Sequence, residues 1–187
     1  DYSKLDKLII GVCGGDGTVN ESARALCGTG MPMAIIPSGS GNGLARHIGV
    51  PIDEMRSIDI IKAGHVIDCD YGEAEGEKFF CTFGVGFDAE VAHDFAGRGT
   101  RGLYTYIKSC VSVFGKHKGE EYTITVDDAE PLRKKAFLVT CCNASQYGND
   151  TFIAPGASIK DGKLDVVILE AAPTLLTLLT GFLMVEG

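Results

Sequence analysis

Residues 13–22 read CGGDGTVNES and follow directly on the apolar run LIIGV at residues 8–12. Three glycines and one carboxylate, Asp16, thus close what looks like a buried strand. Asp-Gly is a common hairpin turn, but a hairpin needs a second strand at once. Here a helical pattern follows over Thr18–Cys27, and Thr18 and Glu21 have the T-x-x-E spacing of a capping box. The alternative is a loop that brings backbone N–H groups up to an anion at a helix start. An acid in such a loop would repel bare phosphate, so Asp16 suits a role in orienting Mg²⁺ or taking a proton from a hydroxyl. The G-x-x-x-x-G-K-[ST] loop of P-loop enzymes is absent. On these residues alone, the tight turn and the phosphate loop both stay open.

The pattern then repeats. A second apolar strand, MAIIP at residues 33–37, runs into the loop SGSGNG at 38–43 and on to LARHIGV. A flexible loop with an Asn turn would explain this stretch alone. Two glycine loops after adjacent parallel strands would end side by side, where open α/β sheets bind ligands. A further helix is read over Asp53–Lys62. Beyond Gly64 the character changes to short strands in HVIDCDYGEA, FFCTFGVGF, EYTITVDD, AFLVTCCNAS and LDVVILEA, interrupted by a helix over Leu103–Phe114. The expectation is an α/β unit over residues 1–64 and an antiparallel β-sandwich unit over residues 65–187.

Composition narrows the classes. A net charge of −8 argues against broad nucleic-acid binding and gives no general pull to an anionic membrane. The seven cysteines form no C-x-x-C pair and read as reduced, buried thiols of a cytoplasmic protein, without a zinc site. The sequons at Asn143 and Asn149 read as chance matches. The apolar stretch TLLTLLTGFLM at 174–184 is too short to span a bilayer and reads as a packed helix. His47, His65, His93 and His117 show no ligand spacing and are given no role. Tyr147 has two readings, lining a cleft or packing in the fold, and the packed tyrosine is preferred.

GGDGTVNE at 14–21, PSGSGNGLAR at 37–46, VGFDAEV at 85–91 and KDGKLDVVIL at 160–169 together resemble the diacylglycerol kinase catalytic-domain family. That family includes bacterial soluble lipid kinases and sphingosine kinases and is distantly related to NAD kinases. The resemblance implies an α/β plus β-sandwich fold of the NAD kinase/diacylglycerol kinase type, with the active site in the interdomain cleft. It implies an ATP- and Mg²⁺-dependent kinase acting on a lipid hydroxyl of diacylglycerol, a sphingoid base or a related alcohol. A small-molecule kinase of the NAD kinase type and a non-catalytic nucleotide-binding module are the alternatives.

By the same resemblance, Gly14, Gly15, Asp16, Gly17, Thr18, Asn20 and Glu21 hold nucleotide phosphates, with Asp16 as the catalytic candidate. Ser38, Gly39, Ser40 and Asn42 of the second loop contact the nucleotide, Ser40 standing where the bacterial enzymes usually have threonine. Arg101 or Arg98 reaches the phosphates, although Arg98 reads better as a solvated loop residue. Asp161, with carbonyls of Ser158 and Lys163, matches a structural Mg²⁺ site; Asp161-Gly162 also reads as a hairpin turn. Asp88 or Glu90 faces the acceptor. The expected partner is a membrane surface that presents the lipid and is met transiently through apolar cleft edges, since no basic helix stands out; nucleic acid is not expected, and a homodimer is left open. An N-P-x-S-G-like loop and a D-G-E motif of the family are not found in these residues. The chain is therefore expected to be the middle of such a kinase, with the acid of the D-G-E motif outside it.

Overall fold

A computed structural model of the chain describes residues 8–99 and 103–170. The first unit opens with β1 (Ile10–Gly14), α1 (Asp16–Leu26) and β2 (Met33–Pro37). β1 and β2 pair in parallel, with Val12 opposite Ile35 and Gly14 opposite Pro37. The βαβ connection lets Val12, Val19, Ala23 and Ile35 share one core. A short helix α2 (Gly43–His47) follows the second glycine loop. Then comes α3 (Glu54–Ala63), started by Asp53, whose carboxylate accepts the Arg56 N–H at 2.9 Å.

α1 begins three residues earlier than its capping-box spacing suggests. Gly15 is the N-cap and Thr18 lies inside the first turn, with no side-chain cap. The glycines allow the helix to start directly off β1, which frees the Asp16 side chain to turn away from its own helix.

The second unit centres on a long strand. β3 (Gly72–Ala74) and β4 (Glu77–Phe79) form a hairpin, and β5 (Thr82–Gly86) leads into α4 (Phe87–Gly97) and α5 (Leu103–Phe114). β6 (Glu120–Ile124), β7 (Leu132–Cys142), β8 (Gln146–Gly148), β9 (Thr151–Phe152) and β10 (Asp165–Glu170) follow. β7 is antiparallel to β10 along one edge and to β5 and β6 in succession along the other. Its residues Ala136 to Thr140 are all buried, as expected of a strand covered on both faces. Phe87 stacks on Phe137 at 4.6 Å between ring centroids, and Phe114 closes the cluster.

Three readings of the sequence are corrected. HVIDCDYGEA is not one strand: only Gly72–Ala74 pairs, because Asp70 spends its N–H on Ile159 O and its carbonyl on Asn143. FFCTFGVGF at 79–87 is not one strand, because Phe79 ends β4, β5 covers only Thr82–Gly86 and α4 starts at Phe87. Asp161-Gly162 turns the chain but closes no hairpin, since β10 pairs with β7 and residues 153–159 form no strand. The apolar stretch at 174–184 lies outside the described residues.

The two units are joined through side chains and backbone rather than by a linker alone. Phe80, Ala144 and Ile159 of the second unit complete the core around Val12 and Leu44. Asn143 is fully buried, and its amide donates to Asp70 O and Phe80 O, both at 2.8 Å. That burial explains why its sequon carries no signal. Asn143→Ala leaves two buried carbonyls without donors, a cost of about 3 kcal/mol, to be read as a lower urea midpoint at unchanged m-value.

Candidate functional site

The two glycine loops lie against each other. Ser38 N–H donates to Gly14 O at 3.0 Å, so the parallel ladder carries the second loop to the first. A Cβ on Gly15 would come within 3.0 Å of Gly39 Cα, so only two glycines allow this approach. Asn42 sits in the left-handed region at φ 57 and is 4% exposed. Its side chain accepts the Gly39 N–H at 2.9 Å and donates to Gly39 O at 2.7 Å, which fixes the loop from within.

Asp16 bolts one loop to the other. Its Oδ2 accepts the Asn42 N–H at 2.8 Å and its Oδ1 accepts the Gly43 N–H at 2.6 Å. A carboxylate at the start of α2 meets the N–H groups that a helix leaves unpaired there. The residue read as a metal organiser or base thus has both oxygens engaged in holding backbone. In α1 the first intrahelical bond is Val19 N–H to Gly15 O at 3.0 Å. The N–H groups of Asp16, Gly17 and Thr18 precede it, at the positive end of the helix dipole. Thr18, Glu21, Ser38 and Ser40 are exposed around this end, and Asn20 is half-buried.

The second unit supports the same loops. Asn149 N–H donates to Gly41 O at 3.2 Å, and Arg46 binds Gly41 O at 3.1 Å and Asp150 at 2.7 Å. His47 Nδ1 accepts the Ser145 N–H at 3.1 Å and lies 2.8 Å from its hydroxyl. Partial burial lowers its pKa, which favours the neutral ring that this acceptor role needs. His47, given no role from sequence, is a pin between the units.

β8 then leads from the loops to a half-buried carboxylate. The Tyr147 carbonyl lies beside Gly41, and its hydroxyl donates to Asp88 Oδ2 at 2.5 Å. Thr140 donates to the same oxygen at 2.7 Å. Burial pushes the Asp88 pKa up, while the two hydroxyl bonds pull it down. Burial, with the Asp88 charge beside it, pushes the Tyr147 phenol far up, so it stays a donor. Tyr147 is therefore more than a packed ring. No sequence signal marks it, because its partner lies 59 residues away.

Asp88 and Glu90 do not act together. Two residues apart on α4, they point to different sides, and Glu90 lies 3.0 Å from His117 Nδ1. His117 Nε2 donates to Phe137 O at 2.8 Å. Arg98 ends α4 and pairs with Asp94 at 2.5 Å. Arg101 lies outside the described residues.

The turn at 158–163 stands apart. Asp161 accepts the Lys163 N–H at 3.1 Å, and Ser158 Oγ accepts the Lys160 N–H at 3.3 Å. Asp70, not singled out from sequence, holds the turn by accepting the Gly162 N–H at 2.7 Å. Among the described residues, no three His, Cys, Asp or Glu side chains gather as a metal cluster. The reading of the cysteines as buried is corrected: Cys13 and Cys69 are exposed and only Cys142 is buried. Burial pushes the Cys81 and Cys142 thiols up to about 12, so these two are inert. No described helix is long and apolar enough to cross a membrane.

A parallel strand pair ending in two braced glycine loops, set against an antiparallel sheet module, defines the fold class of the NAD and diacylglycerol kinases. Residues 2–74 match the diacylglycerol kinase catalytic domain and residues 82–186 the YegS C-terminal NAD kinase beta sandwich-like domain, and the chain belongs to this family. It is 30% identical over 168 residues to a diacylglycerol kinase of Mycobacterium tuberculosis, covering 86% of this chain and 54% of that protein. A diacylglycerol kinase of Bacillus subtilis is 29% identical over 174 residues, covering 88% of this chain and 55% of that one. The crystal structure of a diacylglycerol kinase from Bacillus anthracis superposes with a TM-score of 0.68 at 26% identity, over 94% of this chain and 60% of that chain. The chain thus spans a little over half the length of these relatives.

Proposed function

We propose that this chain is the core of a kinase that transfers the γ-phosphoryl group of ATP to a lipid hydroxyl. The observation that carries this reading is the Asp16 bolt, which holds two glycine loops side by side at the ends of parallel strands. Phosphates would lie on the N–H groups at the start of α1, with Ser38 and Ser40 at hand. In the transfer, the bond from γ-phosphorus to the β–γ bridging oxygen breaks as the lipid oxygen bonds to phosphorus. Both hydroxyl donors reach Asp88 Oδ2, and Oδ1 is proposed to accept the incoming lipid hydroxyl. Asp16 is assigned to positioning rather than to proton transfer, since its oxygens already hold two N–H groups.

A bound Mg²⁺ would supply neutralisation of charge on the transferred group. The carboxylate of Asp161 and the carbonyls of Ser158 and Lys163 are hard oxygen donors of the kind this ion takes, and they would hold a second, structural ion.

The reading is tested by phosphoryl transfer from labelled ATP, with the full natural polypeptide, to diacylglycerol, sphingoid bases and NAD. Lipid product is the expected result. Product with NAD alone, or ATP binding without any product, would overturn it.

Tyr147→Phe supplies a pH test. It removes a bond that lowers the Asp88 pKa. Asp88 then ionises at higher pH, and the acid limb of the kcat/KM profile moves up. The stability consequence has a definite sign. A carboxyl raised in the fold contributes most below its ordinary value and loses that contribution as pH rises through the raised one. Asp88→Asn should flatten this fall in urea titrations.

A further inference from the structure

α2 is five residues long and is held at both ends. At its start the Asp16 carboxylate takes the Asn42 and Gly43 N–H groups. At its end His47 reaches Ser145 of the second unit. Ser145 is 6% exposed and firmly placed, since its carbonyl accepts the N–H groups of Ile153 and Ala154 at 3.0 and 3.1 Å. A backbone N–H can only donate. The 3.1 Å bond from the Ser145 N–H therefore needs a lone pair on His47 Nδ1, and the proton of the neutral ring must sit on Nε2. A proton added at Nδ1 would set donor against donor inside the fold. The Ser145 hydroxyl, 2.8 Å from the same nitrogen, can turn to accept, but the N–H cannot.

We propose that His47 is a positioning residue of the nucleotide site, whose neutral ring keeps the second glycine loop in register and whose protonation releases it. A helix of this length spans only about 7.5 Å. A shift at His47 therefore carries to Asn42 and Gly43, and through their hydrogen bonds to Asp16 and Gly39. The titratable groups around α2 have other partners. Arg46 pairs with Asp150, and Asp16 holds the start of the helix. On the facing strand β8, Tyr147 donates to Asp88, and the Cys81 thiol donates to Gln146 O. Burial alone lowers the His47 pKa, so no carboxylate stands ready to stabilise a charged ring. A ring whose folded value lies below its ordinary one contributes fully above the ordinary value and loses that contribution as pH falls through the lowered one. The role in nucleotide binding rests on the phosphate-loop reading above, whereas the pin itself does not.

The test is calorimetric titration of the full natural polypeptide with ATP between about pH 7.5 and about pH 5, either side of the ordinary histidine value. His47→Asn is the informative variant. Its amide oxygen can stand where Nδ1 stands and accept the Ser145 N–H, but it does not titrate. As the pH falls, the unmodified protein should lose about tenfold in ATP affinity relative to His47→Asn, the worth of one buried hydrogen bond. Taking the ratio to the variant removes the protonation of ATP itself. His47→Leu keeps the bulk without an acceptor and should bind weakly at every pH. His65→Asn, at an exposed histidine beyond α3, should behave as the unmodified protein. Without ligand, the urea midpoint should fall more steeply with pH in the unmodified protein than in His47→Asn. Nitrogen NMR of the unmodified protein needs no variant and should show an Nε2–H ring that titrates below the ordinary value. Parallel affinity curves for the unmodified protein and His47→Asn, full affinity in His47→Leu, or an Nδ1–H ring would overturn the proposal. ATP binding by none of these proteins at any pH would instead sink the phosphate-loop reading, and the urea midpoints would then decide the pin alone.

Discussion

Gly39→Ala is expected to abolish ATP binding and to lower stability by about 3 kcal/mol, at the upper end of what overpacking costs. The new Cβ would fall inside the van der Waals surface of Gly15 Cα, and only 2.8 Å from Asn42 Oδ1. The obstructing atoms are mostly backbone, so no side chain can swing aside to make room. The loops must separate, and the Asn42 clasp on Gly39 and the Asp16 bonds to Asn42 and Gly43 open with them. Gly17 supplies the contrast. A Cβ there meets nothing within 4 Å, and Gly17 lies in the first turn of α1. Gly17→Ala should therefore keep the urea midpoint, whatever it does to a ligand approaching that open side. Equal stability of the two variants would show that the loops are not in contact.

The second large effect is expected from Asp16→Asn. The carboxylate accepts two N–H groups, one on each oxygen. An amide replaces one oxygen by a donor and sets it against a donor. One charge-assisted bond is lost outright and the other weakened, roughly 2–3 kcal/mol in all. Activity should fall by about 100-fold. The split between parameters carries the meaning. A positioning role predicts weaker ATP binding together with lower kcat, because the phosphate loops lose their register. A proton-transfer role predicts lower kcat with ATP affinity intact. Calorimetric titration with ATP, alongside turnover, decides between them, and an unaltered affinity would return Asp16 to the list of bases.

Much of this site was legible in the chain. Alternating apolar strands, glycine loops after each and helical patterns behind them placed β1, α1 and β2 within two residues. The four motifs named a family that the comparisons bear out. These signals are local: a strand, its loop and the next helix are read within about fifteen residues, where spacing maps directly onto geometry. The helix α4 was missed because it starts off a strand at Gly86 without a side-chain cap, so nothing local marks the change of period. Thr18 and Glu21 misled for the opposite reason. Their spacing is a cap signature, yet the helix had already begun.

What the residues alone conveyed was the inventory: two glycine loops, an acid within the first, small polar residues in the second, and a change of architecture near residue 64. What folding added was the pairing of those parts. The Asp16 carboxylate faces backbone 26 and 27 residues away. Tyr147 meets Asp88 across 59 residues, and His47 meets Ser145 across 98. Such partners have no fixed spacing, because they are set by where β8 lies against α2 and the second glycine loop. The outward turn of Tyr104 and Val111 on α5 is of the same kind. A helical repeat shows that a face exists, but only the packing of α4 against α5 selects which face is covered and which is left exposed.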